Sequence, residues 1–373
     1  MMNVQMFLLA RTQEGLSPIE ALGVLNKELS IKTKIYEEEG LVLLDYHMID
    51  SPKLDPIVIE CRSLILEVGT WKLVSHKFDR FFNYGEAKDY YSDFDVSRCV
   101  AYEKADGSLI GIYNYKDKWH ISTRGMAFAE GEHVMGGTFK KKVLEAFMYT
   151  EDEFQEKFNA FDKNCTFVFE YTSPENRIVT KYEEPEMVLL SCNDGYKEFN
   201  YSKTVWALDS FGMNNFRTAR KYPVTSMSEI VELANTLPNL QEGFVLYDPV
   251  SNKRMKVKSA LYVVAHSLRG EDSLPTKKNL LKLTFTGELD EFIAYFPEWK
   301  EKAREVTDEV TIAKYDLAMH WDDNKHIECQ KDFAIAIKDV PHNSVLFQAR
   351  KLGVDISEVW KSIPLEKKIN MFM

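Results

Sequence analysis

The sequence predicts an α+β fold, with mixed antiparallel sheets over residues 1–262 followed by an all-helical region over residues 263–373. Three observations lead there. Up to about residue 260, apolar residues come in short runs rich in β-branched and aromatic side chains, punctuated by glycine turns. Beyond Leu261 they recur at helical spacing instead. A chain of 373 residues is also long enough for two regions that each bury a core.

Taken in order, Ile19, Leu22, Leu25 and Leu29 predict a helix over residues 17–29, with Ser17 as N-cap and Pro18 in its first turn. Strands are expected over residues 41–46, 57–67 and 71–76, residues 64–67 and 72–74 forming a hairpin. Residues 77–84 gather four aromatics around Lys77, Arg80 and Asn83, which reads either as a core-edge cluster or as one wall of a nucleotide pocket, aromatic faces taking a base and Arg80 a phosphate. Residues 100–113 read as a further hairpin, with Lys104 just before an Asp106-Gly107 turn. A strand then ends on Arg124-Gly125, and residues 139–158 are patterned as a helix. The buried-type strand 166–169 runs directly into Glu170, which places a carboxylate at its mouth. Residues 187–191 read as a strand and 231–237 as a helix. Glu242-Gly243 leads into a strand whose partner carries Lys256 and Lys258, two residues apart and therefore on one face. The tail is read as helices over residues 280–283, 289–296, 298–321 and 344–352, the last closed by Gly353, then a short pair broken by Pro364.

Composition narrows the classes. A net charge of -11 excludes a protein that coats nucleic acid by bulk electrostatics, so any polyanion site must be a local cluster. The five cysteines are scattered with no C-x-x-C pair, which predicts reduced thiols, a cytosolic compartment and no zinc ribbon. The short apolar run at residues 6–10 lacks the flanks of a signal peptide, and no stretch nears the ~20 apolar residues of a membrane span.

Lys104-x-Asp106-Gly107 alone is satisfied by a plain hairpin. The ordered set is more specific: that motif, then Arg124-Gly125, Glu170 with Asn176-Arg177 downstream, Glu242-Gly243, and Lys256-x-Lys258. In this order, and in the phrases Glu60-Cys61-Arg62-Ser63 and Phe81-Phe82-Asn83, the chain resembles the ATP-dependent RNA ligases, and within them the bacteriophage RNA ligase 1, tRNA-repair, branch of the covalent nucleotidyltransferases.

The resemblance implies that residues 1–262 form an adenylation domain and residues 263–373 a helical domain for RNA, or tRNA, specificity. It makes Lys104 the nucleophile that carries AMP, with Lys256 and Lys258 catalytic beside it and also on the ATP. Glu103 would read the adenine amino group; Arg62, Arg80 and Arg124 would hold phosphates; Asp106 and Gly107 would belong to the nucleotide site. Glu170 and Glu242 would face ribose or a divalent metal, Mg2+ or Mn2+. The chemistry is consistent, because a free lysine with pKa ~10.4 must lose its proton before attacking phosphorus, and neighbouring cations promote that loss. The implied partner is RNA with 5′-phosphate and 3′-hydroxyl ends, such as nicked tRNA, handled by a monomer in the cytoplasm of a phage-infected host. Two rival enzymes share the motifs: a DNA ligase, expected to carry a β-barrel after Lys258, and an mRNA capping guanylyltransferase, expected to use GTP. The rival from another class is a catalytically silent RNA-binding module.

Overall fold

The structure is a computed structural model that describes residues 1–131, 136–176, 178–238, 241–267 and 276–373. The chain divides into two compact units, Met1–His266 and Ser267–Met373.

The strands of the first unit begin with β1 (Ile31–Tyr36), β2 (Leu41–Tyr46), β3 (Arg62–Glu67), β4 (Leu73–Ser75) and β5 (Phe82–Asn83). Next come β6 (Val100–Glu103), β7 (Ser108–Tyr115), β8 (Lys118–Ser122), β9 (Thr166–Thr172) and β10 (Glu186–Asn193). The last are β11 (Arg217–Thr218), β12 (Lys221–Tyr222), β13 (Gly243–Asp248) and β14 (Lys253–Lys258). They form three sheets, ordered β1-β2-β3-β4, β11-β10-β9-β7-β8 and β12-β6-β13-β14-β5.

The first sheet is an antiparallel meander that buries Leu44, Leu64 and Leu66 against Val4 and Leu8 of helix Asn3–Gln13 and Leu22 and Leu25 of helix Pro18–Leu29. Ser17 caps the second helix as expected, exchanging bonds with Glu20. The second sheet packs one face on helices Phe139–Phe147 and Glu151–Phe158 through Phe147, Phe154, Phe158, Phe167 and Phe169. The third buries Ala101, Phe244, Leu246 and Val257 against Ile230 and Ala234 of helix Met227–Asn235.

Several expectations needed correction. The hairpin over residues 100–113 does not form: β6 pairs with β12 and β13, whereas β7 pairs with β8 and β9, so Lys104 to Gly107 cross from one sheet to another. Alternation predicts a strand and its faces, but it carries no information on which strand lies beside it. The strand expected over 57–67 starts only at Arg62, because Asp55 caps and Pro56 opens a helical turn, Pro56–Glu60. The helix over 139–158 is two helices, parted where Met148 turns left-handed and Thr150 recaps the chain with Glu153. Helix Asn3–Gln13 and β1 were not anticipated. The hairpins β3–β4 and β13–β14 form as read.

The second unit is helical throughout its described residues, with helices at Lys277–Thr286, Leu289–Tyr295, Lys300–Asn324, Gln330–Ala336, Ser344–Leu352, Ile356–Ser362 and Leu365–Asn370. The first packs on the long one, burying Leu280 and Leu283 with Ala303, Val306, Val310 and Leu317. Gly353 closes its helix at φ 66°. No described helix is long and apolar enough to cross a membrane. All five cysteines are free thiols; Cys61, Cys165 and Cys192 are buried, Cys99 half-buried and Cys329 exposed.

Candidate active site

The site is built where the crossover of residues 104–107 meets the inner faces of the second and third sheets. Along β14 the side chains alternate, so Met255 and Val257 enter the core while Arg254, Lys256 and Lys258 share the opposite face. Lys258 lies opposite Gly243, whose carbonyl accepts the Lys104 backbone N–H at 2.8 Å. This register brings two lysines to one buried carboxylate: Glu242 accepts from Lys104 Nζ at 2.6 Å and stands 3.7 Å from Lys258 Nζ. Glu242 is 4% exposed, so the charge is balanced by these cations rather than by bulk water.

Glu170 projects from β9 toward the same place and accepts from the Gly107 N–H at 3.2 Å. Burial pushes its carboxyl up to about 7; Lys104 pulls the other way and Glu242 reinforces the rise. In an unfolded chain this carboxyl titrates near ~4.3, so between that pH and about 7 the fold holds a proton that the unfolded chain releases. The folded state is thus penalised progressively as pH rises from about 4.3 to 7, and by a constant amount above that. Glu170→Gln, which stays neutral, is expected to melt with wild type at pH 4 and roughly 5 °C above it at pH 8.5, measured by differential scanning calorimetry.

The three arginines form a separate group around aromatic rings. Arg62 lies 5.0 Å from the Phe81 ring centroid, and Lys256 Nζ stands 5.0 Å from the same ring. Arg80, only 3% exposed, stacks 4.1 Å from Tyr46, and Arg124 lies 4.9 Å from that ring while bonding Asp45 at 3.2 Å. One terminal nitrogen, Nη1, of both Arg62 and Arg80 is buried with no hydrogen-bond partner among the described residues. Burial lowers the pKa of both groups. Buried guanidinium donors left unmatched fit an anion such as a phosphate oxygen.

Two expected nucleotide contacts are occupied otherwise. Both Asp106 oxygens are engaged, Oδ2 by the Val179 and Thr180 N–H groups at 2.9 and 2.8 Å and Oδ1 by the Tyr262 hydroxyl at 2.8 Å. Asp106 here anchors the crossover. Glu103 is held in an ion pair with Arg217, and Arg220 stands 3.8 Å away. Gly107 packs its bare Cα against the Tyr171 carbonyl, where a Cβ would come within 2.2 Å. Asn176 braces the same junction, donating to Ser108 Oγ at 3.0 Å and to the Tyr171 carbonyl at 3.2 Å; Arg177 lies outside the described residues. Sequence reasoning missed Tyr262 and Arg217, and also Tyr182, whose hydroxyl accepts the Asp106 backbone N–H at 2.8 Å, because nothing local marks a tyrosine or arginine as the partner of a distant residue.

Residues between Arg62 and Tyr262 thus supply two groups, lysines with carboxylates at the sheet crossover and arginines around aromatic rings. The family model described as RNA ligase matches residues 60–262, the span that holds all of these groups. The chain belongs to the RNA ligase family. It is 33% identical over 358 residues to a protein of Autographa californica nuclear polyhedrosis virus named as a bifunctional polynucleotide kinase/RNA ligase, an alignment covering 92% of this chain and 50% of that protein. The chain therefore spans half the length of that relative. It is 25% identical to the RNA ligase of Rhodothermus phage RM378, covering 95% of this chain and 93% of the phage protein. Among solved structures, an archaeal ATP-dependent RNA ligase is similar at 16% identity and a TM-score of 0.49, over 78% of this chain and 75% of that one.

Proposed function

We propose that the protein joins RNA 5′-phosphate and 3′-hydroxyl ends with ATP as co-substrate, through AMP carried on Lys104. The observation that carries this reading is the shared carboxylate: Glu242 holds the ammonium of Lys104 at 2.6 Å within a buried site that also contains Lys258. The unmatched Nη1 atoms of Arg62 and Arg80, with Lys256 and Arg124, supply donors for phosphate oxygens.

In this reading Lys104 Nζ gives up its proton and forms a bond to the α-phosphorus as the bond to the β-phosphate oxygen breaks and pyrophosphate leaves. Lys256 and Lys258 stabilise the charge that builds on the phosphate oxygens. The AMP group then passes to the oxygen of an RNA 5′-phosphate, and attack by the 3′-hydroxyl on that phosphate expels AMP. Among the described residues no three His, Cys, Asp or Glu side chains stand together as a metal cage. A divalent ion would accordingly share its ligands between Glu170, Glu242 and substrate phosphates, where it neutralises charge. The helical second unit is assigned to RNA selection, with nicked tRNA as the substrate class, and the enzyme to a monomer acting in the host cytoplasm.

The test supplies α-labelled and γ-labelled ATP, α-labelled GTP, and RNA or DNA strands with 5′-phosphate ends. Covalent label is expected from α-labelled ATP alone, and joining is expected with RNA, faster on a cleaved tRNA loop than on a linear oligonucleotide. Label from GTP would favour the capping reaction, and joining of DNA in preference to RNA would favour the DNA ligase reading. Absence of any covalent adduct in protein competent to bind ATP would refute the lysyl-AMP route.

A further inference from the structure

Among the described residues of the first unit, Lys77 is the most thoroughly buried cation, 1% exposed. Its stem lies over β7, where Gly111 leaves room: a Cβ there would come within 2.5 Å of Lys77 Cε and 2.8 Å of Ser122 Oγ. Its Nζ donates to Ser63 Oγ at 2.7 Å and to the Thr123 carbonyl at 3.3 Å, and Ser63 Oγ itself donates to that carbonyl at 3.1 Å. Ser63 directly follows Arg62 and sits at φ 58°, a left-handed conformation that needs outside support in a non-glycine residue. Thr123 directly precedes Arg124. Lys77 itself opens the segment that reaches Arg80, and this segment is fixed at both ends: Asn193 Nδ2 donates to the Lys77 carbonyl at 3.0 Å, and the Arg80 N–H to the Ile59 carbonyl at 2.7 Å.

We propose that Lys77 is a positioning residue for the ATP phosphates, its ammonium pinning together the three chain segments that present Arg62, Arg80 and Arg124. The proposal rests on the reading of these arginines as phosphate ligands. A structural role alone would be met more cheaply by an apolar side chain, because burying an ammonium costs free energy that two neutral acceptors repay only in part. Burial, and the nearby Arg62 charge, lower the Lys77 pKa to about 7, with Asp45 opposing, so holding the charged form there costs stability. What the cost secures is geometry. A donor with three hydrogens meets Ser63 and Thr123 at once, and thereby fixes the spacing between the backbones that bear Arg62 and Arg124.

The test is calorimetric titration of the full chain with the α,β-methylene analogue of ATP, which binds without transferring a nucleotide. Wild type is compared with Lys77→Met, which keeps the stem, and Ser63→Ala, which removes one acceptor and leaves Lys77 in place. The dissociation constant is expected to rise on the order of tenfold for Lys77→Met and about threefold for Ser63→Ala, with binding stoichiometry unchanged. If stoichiometry or melting temperature falls while the dissociation constant stays at the wild-type value in both variants, Lys77 only supports folding and the proposal is overturned. Should Lys77→Met not fold, Ser63→Ala decides alone by the same criterion. Failure of wild type to bind the analogue overturns the proposal as well. Binding of the analogue without covalent label from α-labelled ATP would instead refute the lysyl-AMP route and leave the positioning role standing.

Discussion

Lys104→Ala is expected to abolish the covalent label that α-labelled ATP leaves on the protein, and with it RNA joining, by at least about four orders of magnitude. The loss should be this deep because no water or neighbouring hydroxyl can carry AMP as a phosphoramidate; only an amine can. Lys258 is the one residue whose behaviour makes the test sharp. Its Nζ lies 3.7 Å from the same Glu242 carboxylate that binds Lys104 at 2.6 Å, so two amines flank one site. Lys258→Ala is expected to slow labelling by about a hundredfold without removing it, since it withdraws charge stabilisation rather than the nucleophile. A label kept in Lys104→Ala and lost in Lys258→Ala would move the nucleophile to the other side of the carboxylate.

Much of this site was legible in the sequence because its chemistry is carried by short segments. The alternation Lys256-x-Lys258 specified one face of a strand, and the structure has both lysines there, opposite the buried Met255 and Val257. Glu170 does not end its strand as the apolar run suggested: β9 continues through Tyr171 to Thr172, and Glu170 lies within it, its carboxyl raised by burial. What periodicity could not supply was partnership. Residues 100–113 have hairpin alternation and a hairpin turn dipeptide, yet the two strands go to different sheets, because Asp106 finds better hydrogen bonds at Val179, Thr180 and Tyr262 than a two-residue turn offers. Those donors lie more than seventy residues along the chain. Lys77 illustrates the same limit: its neighbours in sequence suggest a wall of aromatics, while its contacts are Ser63 of β3 and Thr123, the residue after β8. Charge type was readable locally, and burial and pairing were not.

The reassigned crossover leads to the second large effect. Gly107 carries no positive φ, so its need for glycine is one of space alone: an alanine Cβ would sit 2.2 Å from the Tyr171 carbonyl oxygen and 3.0 Å from Thr172 Cγ2. Both obstacles belong to β9, a central strand paired on both sides, and the nearer one is backbone that cannot rotate away. Relief therefore has to come from residues 104–107, which would move outward by about 1 Å. That shift breaks the 3.2 Å bond from the Gly107 N–H to Glu170 and carries Lys104 with it, off Gly243 and Glu242. Gly107→Ala is expected to cost about 3 kcal/mol of stability and at least a hundredfold in labelling rate, because near-attack geometry tolerates little displacement. Gly23, in the middle of helix Pro18–Leu29 with nothing within 4 Å of a built Cβ, provides the matched control. Gly23→Ala should keep full labelling and gain up to about 1 kcal/mol from helix propensity. Urea unfolding of both variants, alongside single-turnover labelling, separates the two outcomes. Wild-type labelling in Gly107→Ala would mean that the crossover can move away from β9 without disturbing Lys104, and the close approach at Gly107 would then have no bearing on the nucleophile.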